Sequence, residues 1–289
     1  MRMVVKVGGA LLEHGRVLQS VARQVAELAQ EDTELLVVHG GGRTFTEILA
    51  RLGIATRFAG GLRVTDRETR DVAVMVLGGL LNKRLASAVT QAGRPAVGVC
   101  ASDAACFLAQ PMDPDNLGFV GQLSAVNVGF LESLWRAGVV PVAASLGLGS
   151  DGEIYNLNAD QMAAACAREL GAERLIFLTD VGGVLDGSKV LETVSCRQID
   201  RLIERRRVSG GMVVKLEACR EALAGGVPHV RIASGYWGRG LLAAARDDAR
   251  AGTRVILHCG AGFQPAPLKL LSASVAGQAG SLHHNAART

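Results

Sequence analysis

Two lysines, one aspartate and a set of glycine turns are the residues whose types and spacing can do chemistry. Lys6-Val7-Gly8-Gly9 closes the first apolar run and leads into a helical segment, so a cation sits beside backbone N–H groups. In open parallel sheets ligands lie at the carboxyl ends of strands, and helix N-termini there attract anions. His39-Gly40-Gly41-Gly42 repeats the pattern after the second apolar run, and the expectation is two glycine elbows facing one another across the sheet edge. Without a Cβ, these turns let a phosphoryl oxygen approach the amides closely. Leu178-Thr179-Asp180-Val181-Gly182-Gly183 supplies a third turn and Ser209-Gly210-Gly211 a fourth. Lys215 is expected in the first turn of the helix that follows, where a cation is unfavourable unless an anion shares the site. Asp160 opens an alanine-rich helix after Asn156 and Asn158 and also reads as a plain N-cap. Each turn alone also reads as an ordinary strand-to-helix connection; together they are equipment for a polyanion shared between two lobes.

The elements that must position these groups follow from apolar patterning. Short Val/Ile/Leu runs at Met3 to Val7, Glu34 to Val38, Pro95 to Val99, Val139 to Ala143, Arg174 to Leu178 and His229 to Ile232 alternate with longer helix-period segments. That alternation predicts an α/β fold with an open, mostly parallel sheet sandwiched by helices. Leu117 to Asn127 reads as a hairpin, and Gly147 to Gly152 as a turn region. The expected organisation is an N-terminal lobe over residues 1–145, a C-terminal lobe over 146–258 and a mobile tail over 259–289, where Gly, Ala, Ser and Pro prevail.

With 289 residues, 49% apolar and 20% charged, the chain can bury one broad core or two modest ones. A net charge of +4 without a cationic stripe or a nucleic-acid module argues against nucleic-acid binding, and Arg205 to Arg207 reads as a solvated helix end. The six cysteines form no Cys-x-x-Cys and the six histidines no His-Glu-x-x-His, so no metal ligand set is expected. The apolar start is broken by Lys6 and is too short for a signal peptide; no stretch approaches bilayer length, and the cytoplasm is the expected location. There is no Gly-x-Gly-x-x-Gly after the first strand and no Gly-x-x-x-x-Gly-Lys-Ser/Thr, which removes the usual support for a dinucleotide enzyme or a P-loop ATPase.

From Lys6 to about Leu257 the chain resembles the amino acid kinase family, and within it the members that phosphorylate N-acetyl-L-glutamate. The resemblance rests on the order and spacing of K-V-G-G-A at Lys6 to Ala10, H-G-G-G at His39 to Gly42, G-L-R-V-T-D at Gly61 to Asp66 and N-K at Asn82 to Lys83. It continues in L-G-F-V-G at Leu117 to Gly121, Y-N-L-N-A-D at Tyr155 to Asp160, L-T-D-V-G-G-V at Leu178 to Val184 and G-G-M-V-V-K-L at Gly210 to Leu216.

The resemblance implies that Lys6 and Lys215 bracket the phosphoryl group in flight, with Lys6 on the acceptor side, while Asp160 holds the two ammonium groups. It implies that amides at Gly8, Gly9, Gly41 and Gly42 touch phosphoryl oxygens, and that Arg63 and Asn156 bind the acceptor's α-carboxylate. Asp180, Gly182 and Gly183 would lie by ATP, whose Mg2+ would be held mainly through its phosphates, and the step would belong to arginine biosynthesis. A homodimer is expected, with part of Asp66 to Gln91 as its surface, where Val72, Met75, Val76 and Leu80 recur at helical spacing; an intramolecular core face is the other reading. Relatives inhibited by arginine carry a helix ahead of the first strand, for which the start at Met3 leaves no length, so free arginine is not expected to inhibit.

The chain departs from the family at Cys100-Ala101-Ser102-Asp103-Ala104, where Leu-Ser-Gly-x-Asp-Gly is usual. The lost glycines are expected beside the acceptor pocket, which keeps open a longer acceptor such as an acetylated aminoadipate. A non-catalytic relative with the same fold is the reading of another class, and the presence of Lys6, Asp160 and Lys215 weighs against it.

Overall fold

The computed structural model describes residues 1–236 and 238–257, and the expectations for the tail beyond them lie outside the described residues. Its strands are β1 Arg2–Val7, β2 Glu34–His39, β3 Phe58–Ala59, β4 Leu62–Arg63, β5 Ala96–Val99, β6 Phe107–Pro111, β7 Val120–Val126 and β8 Val140–Ala144. They continue with β9 Leu146–Gly149, β10 Ile154–Leu157, β11 Arg174–Thr179, β12 Leu185–Asp186, β13 Lys189–Val190, β14 Thr193–Ser195, β15 His229–Ser234 and β16 Thr253–Ile256. The helices are α1 Gly9–Glu13, α2 Gly15–Gln30, α3 Gly42–Arg51, α4 Arg67–Ala73, α5 Asn82–Gln91 and α6 Pro114–Leu117, then α7 Val128–Arg136, α8 Ala159–Glu169, α9 Cys196–Glu204, α10 Gly211–Ala224 and α11 Gly240–Ala245.

An eight-stranded sheet in the order β14-β16-β15-β11-β1-β2-β8-β5 forms the centre. Its six apolar strands are parallel, as the sequence pattern requires, whereas β16 pairs antiparallel with β15 and carries β14 with it at one edge. Strand alternation sorts the core into two layers. Val5, Val7, Val37, Ile176 and Leu178 face the α2 and α5 side, while Val4, Leu36, Val38, Leu175 and Phe177 face the α8 and α10 side. Buried on both faces, these strands read as nearly continuous apolar runs. Lys6 shares the parity of Val4 and therefore enters the α8 and α10 layer at the carboxyl end of β1.

Three expectations are corrected. The elbows lie at the middle of the sheet, not its edge, because β1 and β2 are central neighbours. Leu117 to Asn127 is not a hairpin by itself: β7 is one arm, and its antiparallel partner β6 precedes it, within a small closed barrel of order β10-β7-β6-β9 that takes in the Gly147 to Gly152 region. Lastly, Arg67 to Gln91 forms 25 continuous helical residues long and apolar enough to cross a bilayer by length and composition. Much of that length is core instead, with Val72, Val76, Leu77, Leu81, Leu85 and Val89 buried. Its middle, Val74–Leu81, is a π-helix, a wide turn that joins α4 to α5 without a break.

The Cys100 to Ala104 departure has a conformational cost. Ala104 and Ala105 adopt φ of 52° and 47°, the left-handed region where a side chain crowds the carbonyl and glycine fits without strain. Ala104→Gly is therefore expected to stabilise the protein by about 1 kcal/mol, the left-handed strain relieved being offset in part by the larger backbone entropy of glycine. Urea denaturation at neutral pH measures it, and a lower midpoint for the glycine variant would refute the strain.

Candidate active site

The two elbows meet backbone to backbone. A Cβ on Gly9 would fall inside the contact distance of Gly42 Cα, and one on Gly42, itself at φ +54°, would lie 2.7 Å from Gly9 Cα. Only glycine fits at this crossing. The Gly8 N–H donates to Leu178 O at 2.9 Å and closes the seam between β1 and β11, so this amide is already engaged. Beneath the second elbow His39 is fully buried, and burial pushes its pKa down to about 4. Its neutral ring donates from Nδ1 to Gly40 O and accepts at Nε2 from Asn82 Nδ2, both at 3.2 Å; Asn82 also donates to Val142 O at 2.8 Å. Asn82 thus ties the second elbow to β8.

Lys6 from β1 and Lys215 from α10 converge on one oxygen of Asp160, at 2.9 and 2.8 Å. All three side chains are nearly buried. Burial alone pushes the Asp160 carboxyl up, but the attraction and hydrogen bonds of the two ammonium groups outweigh it and hold the pKa down at about 2. For Lys6 burial dominates and lowers the pKa, with Asp160 opposing and Lys215 reinforcing the shift. The cluster carries one positive charge in excess. Asp160 is not the cap of α8: Asn158 is, accepting from the amides of Asp160 and Gln161 at 2.9 and 3.2 Å. Lys215 lies one full turn into α10 rather than in its first turn, which leaves the N-terminal amides of that helix uncapped by any side chain.

These groups line a cavity of about 370 Å³ together with Gly8, Gly9, Ala10, Thr179, Asp180, Gly211 and Met212. Buried cations, an elbow and an uncapped helix N-terminus fit a polyphosphate. Gly182 and Gly183 are not among its walls; a Cβ on Gly183 would lie 2.6 Å from Thr253 Oγ1, so that glycine serves packing against β16.

A second cavity of about 140 Å³ lies across the elbows, walled by Gly40, Gly41, Gly42, Phe45, Phe58, Arg63, Ser145, Asn156 and Asn158 among others. Arg63 is held between the rings of Phe45 and Phe58, 4.6 and 4.8 Å from their centroids, and donates to Thr46 Oγ1 at 2.7 Å and Thr56 Oγ1 at 3.0 Å. Stacking and hydrogen bonding fix the guanidinium plane, the geometry a carboxylate needs. Asn156 donates to Thr65 Oγ1 at 3.1 Å. The β3–β4 turn over this cavity brings Gly61 against Val214, beside Lys215, in α10. No residue from 100 to 106 lines the cavity, so the expectation that the departure lies beside the acceptor pocket is corrected.

The sequence reading did not single out Phe45, Phe58 or Ser145, and gave Gly211 only as part of a turn. Asn158 stood in a quoted motif; the aromatic clamp on Arg63 joins residues distant in the chain and left no local signal.

A lysine–aspartate–lysine centre in the wall of one cavity, with an arginine clamped in the wall of a second, is an arrangement able to align and neutralise oxyanions, the task of a phosphotransferase. The chain belongs to the amino acid kinase family, whose sequence model matches residues 1–234. It is 50% identical over 234 residues to the acetylglutamate kinase of Koribacter versatilis, covering 80% of this chain and 90% of that one. The acetylglutamate kinase of Acidobacterium capsulatum is 47% identical over 236 residues, with 80% and 90% covered. Among solved structures, smu.665 from Streptococcus mutans UA159 superposes with a TM-score of 0.74 at 29% identity, covering 80% of this chain and 94% of that one.

The Asp160 pKa fixes a pH dependence. Because the carboxyl is held below its ordinary value of 3.8, its pairing stabilises the fold fully above that value and the contribution is lost as pH falls toward about 2. The contribution amounts to about 2 kcal/mol. Asp160→Asn is expected to be less stable at neutral pH and to show a smaller loss of stability between pH 5 and pH 2 than wild type. Equal losses in urea titrations at both pH values would contradict the assignment.

Proposed function

We propose that the chain transfers the terminal phosphoryl group of ATP to the side-chain carboxylate of N-acetyl-L-glutamate, forming N-acetyl-L-glutamyl 5-phosphate and ADP in arginine biosynthesis. The observation that carries this reading is the sharing of one Asp160 oxygen by Lys6 and Lys215 in the wall of the larger cavity, whose Gly9 elbow abuts the Gly42 elbow of the other. The acceptor carboxylate, with a reference pKa of about 4.3, is ionised near neutral pH and needs no general base. Its oxygen attacks the γ-phosphorus in line, the bond to the bridging β,γ oxygen breaks, and the electron pair leaves with ADP. Lys6 neutralises charge on the acceptor side and Lys215 on the leaving side, while Asp160 keeps the ammonium groups apart and aimed. Free amides at Gly9, Gly41 and Gly42 take the equatorial oxygens. Arg63 and Asn156 orient the α-carboxylate of the acceptor.

Among the described residues no three His, Cys, Asp or Glu side chains gather as a metal cage. A Mg2+ arriving with ATP would be held chiefly by phosphate oxygens, with Asp180, whose Oδ1 accepts from Thr179 Oγ1 at 3.0 Å, as a carboxylate of the same cavity, and would supply charge neutralisation there. Residues 1–145 supply most of the acceptor side and residues 146–257 most of the nucleotide side, but residues 156–159 cross to the first and residues 6–10 to the second.

A coupled ADP-release assay should give turnover on N-acetylglutamate well above that on N-acetylaminoadipate, glutamate or aspartate. Equal or faster turnover on the aminoadipate compound would overturn the acceptor assignment. Lys6→Ala and Lys215→Ala should each lower kcat roughly 100-fold, as loss of one preorganised oxyanion donor does. Arg63→Ala should act mainly through the acceptor KM.

A homodimer fits the apolar surface of the long helix. Val72 and Val76 are core, so only part of the expected face remains, but Met75 and Leu80 are 61% and 42% exposed, and the space outside Gly79 is open. Light scattering should give the dimer mass for wild type and the monomer mass for Met75→Asp with Leu80→Asp; an unchanged mass would place the interface elsewhere.

A further inference from the structure

Helix α3 begins without a cap of its own. Its N-cap is Gly41, which has no side chain, yet the first amides of a helix need acceptors. The acceptor comes from outside the helix: Glu13 Oε1, at the end of α1, accepts from Arg43 N at 3.1 Å and Thr44 N at 3.2 Å. The Glu13 side chain is 13% exposed, while Arg43, whose Nη2 lies 3.5 Å from Oε2, is 72% exposed. A solvated ion pair of that kind contributes little. The two amide hydrogen bonds, charge-assisted and sheltered, are the substantial interaction.

Their placement matters because of what they join. Helix α1 starts at Gly9 of the first elbow and α3 at Gly42 of the second, and the elbows themselves approach through backbone, mainly that of glycine. Glycine contacts set a closest approach but leave sliding and rotation open. Glu13, four residues past Gly9, adds a second point of attachment and removes that freedom. It also divides the donors of α3, since it takes the amides of Arg43 and Thr44 and not those of Gly41 and Gly42, residues that line the second cavity. Glu13 itself lines neither cavity.

We propose that Glu13 is a positioning residue for the transfer, holding the two glycine elbows in register so that the Gly41 and Gly42 amides meet the moving phosphoryl group. This role rests on the kinase reading given above. An error of about 1 Å in such donors costs on the order of 100-fold in rate, so a partial slackening should be visible in kcat.

The experiment measures ADP release with ATP and N-acetylglutamate for wild type, Glu13→Ala, Glu13→Gln and Arg43→Ala, with melting temperatures alongside. Glu13→Ala should lower kcat roughly tenfold or more while the acceptor KM stays within about threefold, because the misplaced amides act in the transition state. Glu13→Gln, whose Oε1 accepts the same two amides, should recover kcat to within about threefold of wild type, and Arg43→Ala should match it, since neither loses those bonds. Glu13→Ala with kcat within twofold of wild type, Glu13→Gln as slow as Glu13→Ala, or Arg43→Ala as slow as either would overturn the role. Should Glu13→Ala fail to fold, the Gln and Arg43 variants still decide it. An inactive wild type would remove the kinase reading and this role together, whereas an active wild type with indifferent variants would remove this role alone.

Discussion

One carboxylate oxygen between two buried ammonium groups is the constraint on which the rest of the molecule depends. Removing three charges from water is unfavourable unless each keeps a close partner, so Asp160 must hold its place to within hydrogen-bond tolerance. That demand reaches three elements at once, because Lys6 comes from β1, Lys215 from α10 and Asp160 from α8. The small side chains Ala163, Ala164 and Ala167, all buried on α8, let it press close to the sheet and to α10. The Phe177 ring completes the enclosure, 5.2 Å from Lys215 Nζ. With both ammonium groups charged the three side chains together carry one excess positive charge, and a phosphate is a natural counterpart.

Glycine is used here in two distinct ways. At the crossing of the elbows it lets two backbones touch and keeps amides bare for a ligand. Elsewhere it makes room for a fixed neighbour: Gly8 lies against Leu178 O, Gly183 against Thr253, and Gly98 against the Asn82 side chain that holds His39. Both uses look alike in a sequence. Geometry distinguishes Gly98 and Gly183, which line neither cavity, from Gly9, Gly41 and Gly42, which each line one, while Gly8 both lines a cavity and abuts Leu178 O.

The parallel sheet and both elbows were legible because each depends on residues close together in the chain. Continuous apolar runs mark strands buried on two faces, and Gly pairs after them mark turns. The four-stranded barrel was not legible, because β9 and β10 are only four residues each and their pairing with β6 and β7 is set by contacts far apart in sequence. The edge strands β14 and β16 are short and half polar, as in Thr193 and Arg254, so they lack the apolar run that marked the others. Lys6, Lys215 and Asp160 were individually suspect, yet their meeting on one oxygen has no sequence periodicity. Gly183 shows the opposite limit: its turn resembles the elbows in sequence, yet it packs against Thr253.

The wide π turn between α4 and α5 loosens the link between chain length and the site. An ordinary helix advances about 100° per residue, and a π segment holds one more residue in a turn than that pitch allows. Because the surplus residue is taken up within the wide turn, α5 keeps the phase that brings Asn82 to His39 and Lys83 to Gly98 O, and removing one residue there would close the turn to the ordinary pitch without swinging α5 away. In this stretch the chain can absorb one residue of length, while its side chains stay constrained because Val76, Leu77 and Leu81 are core.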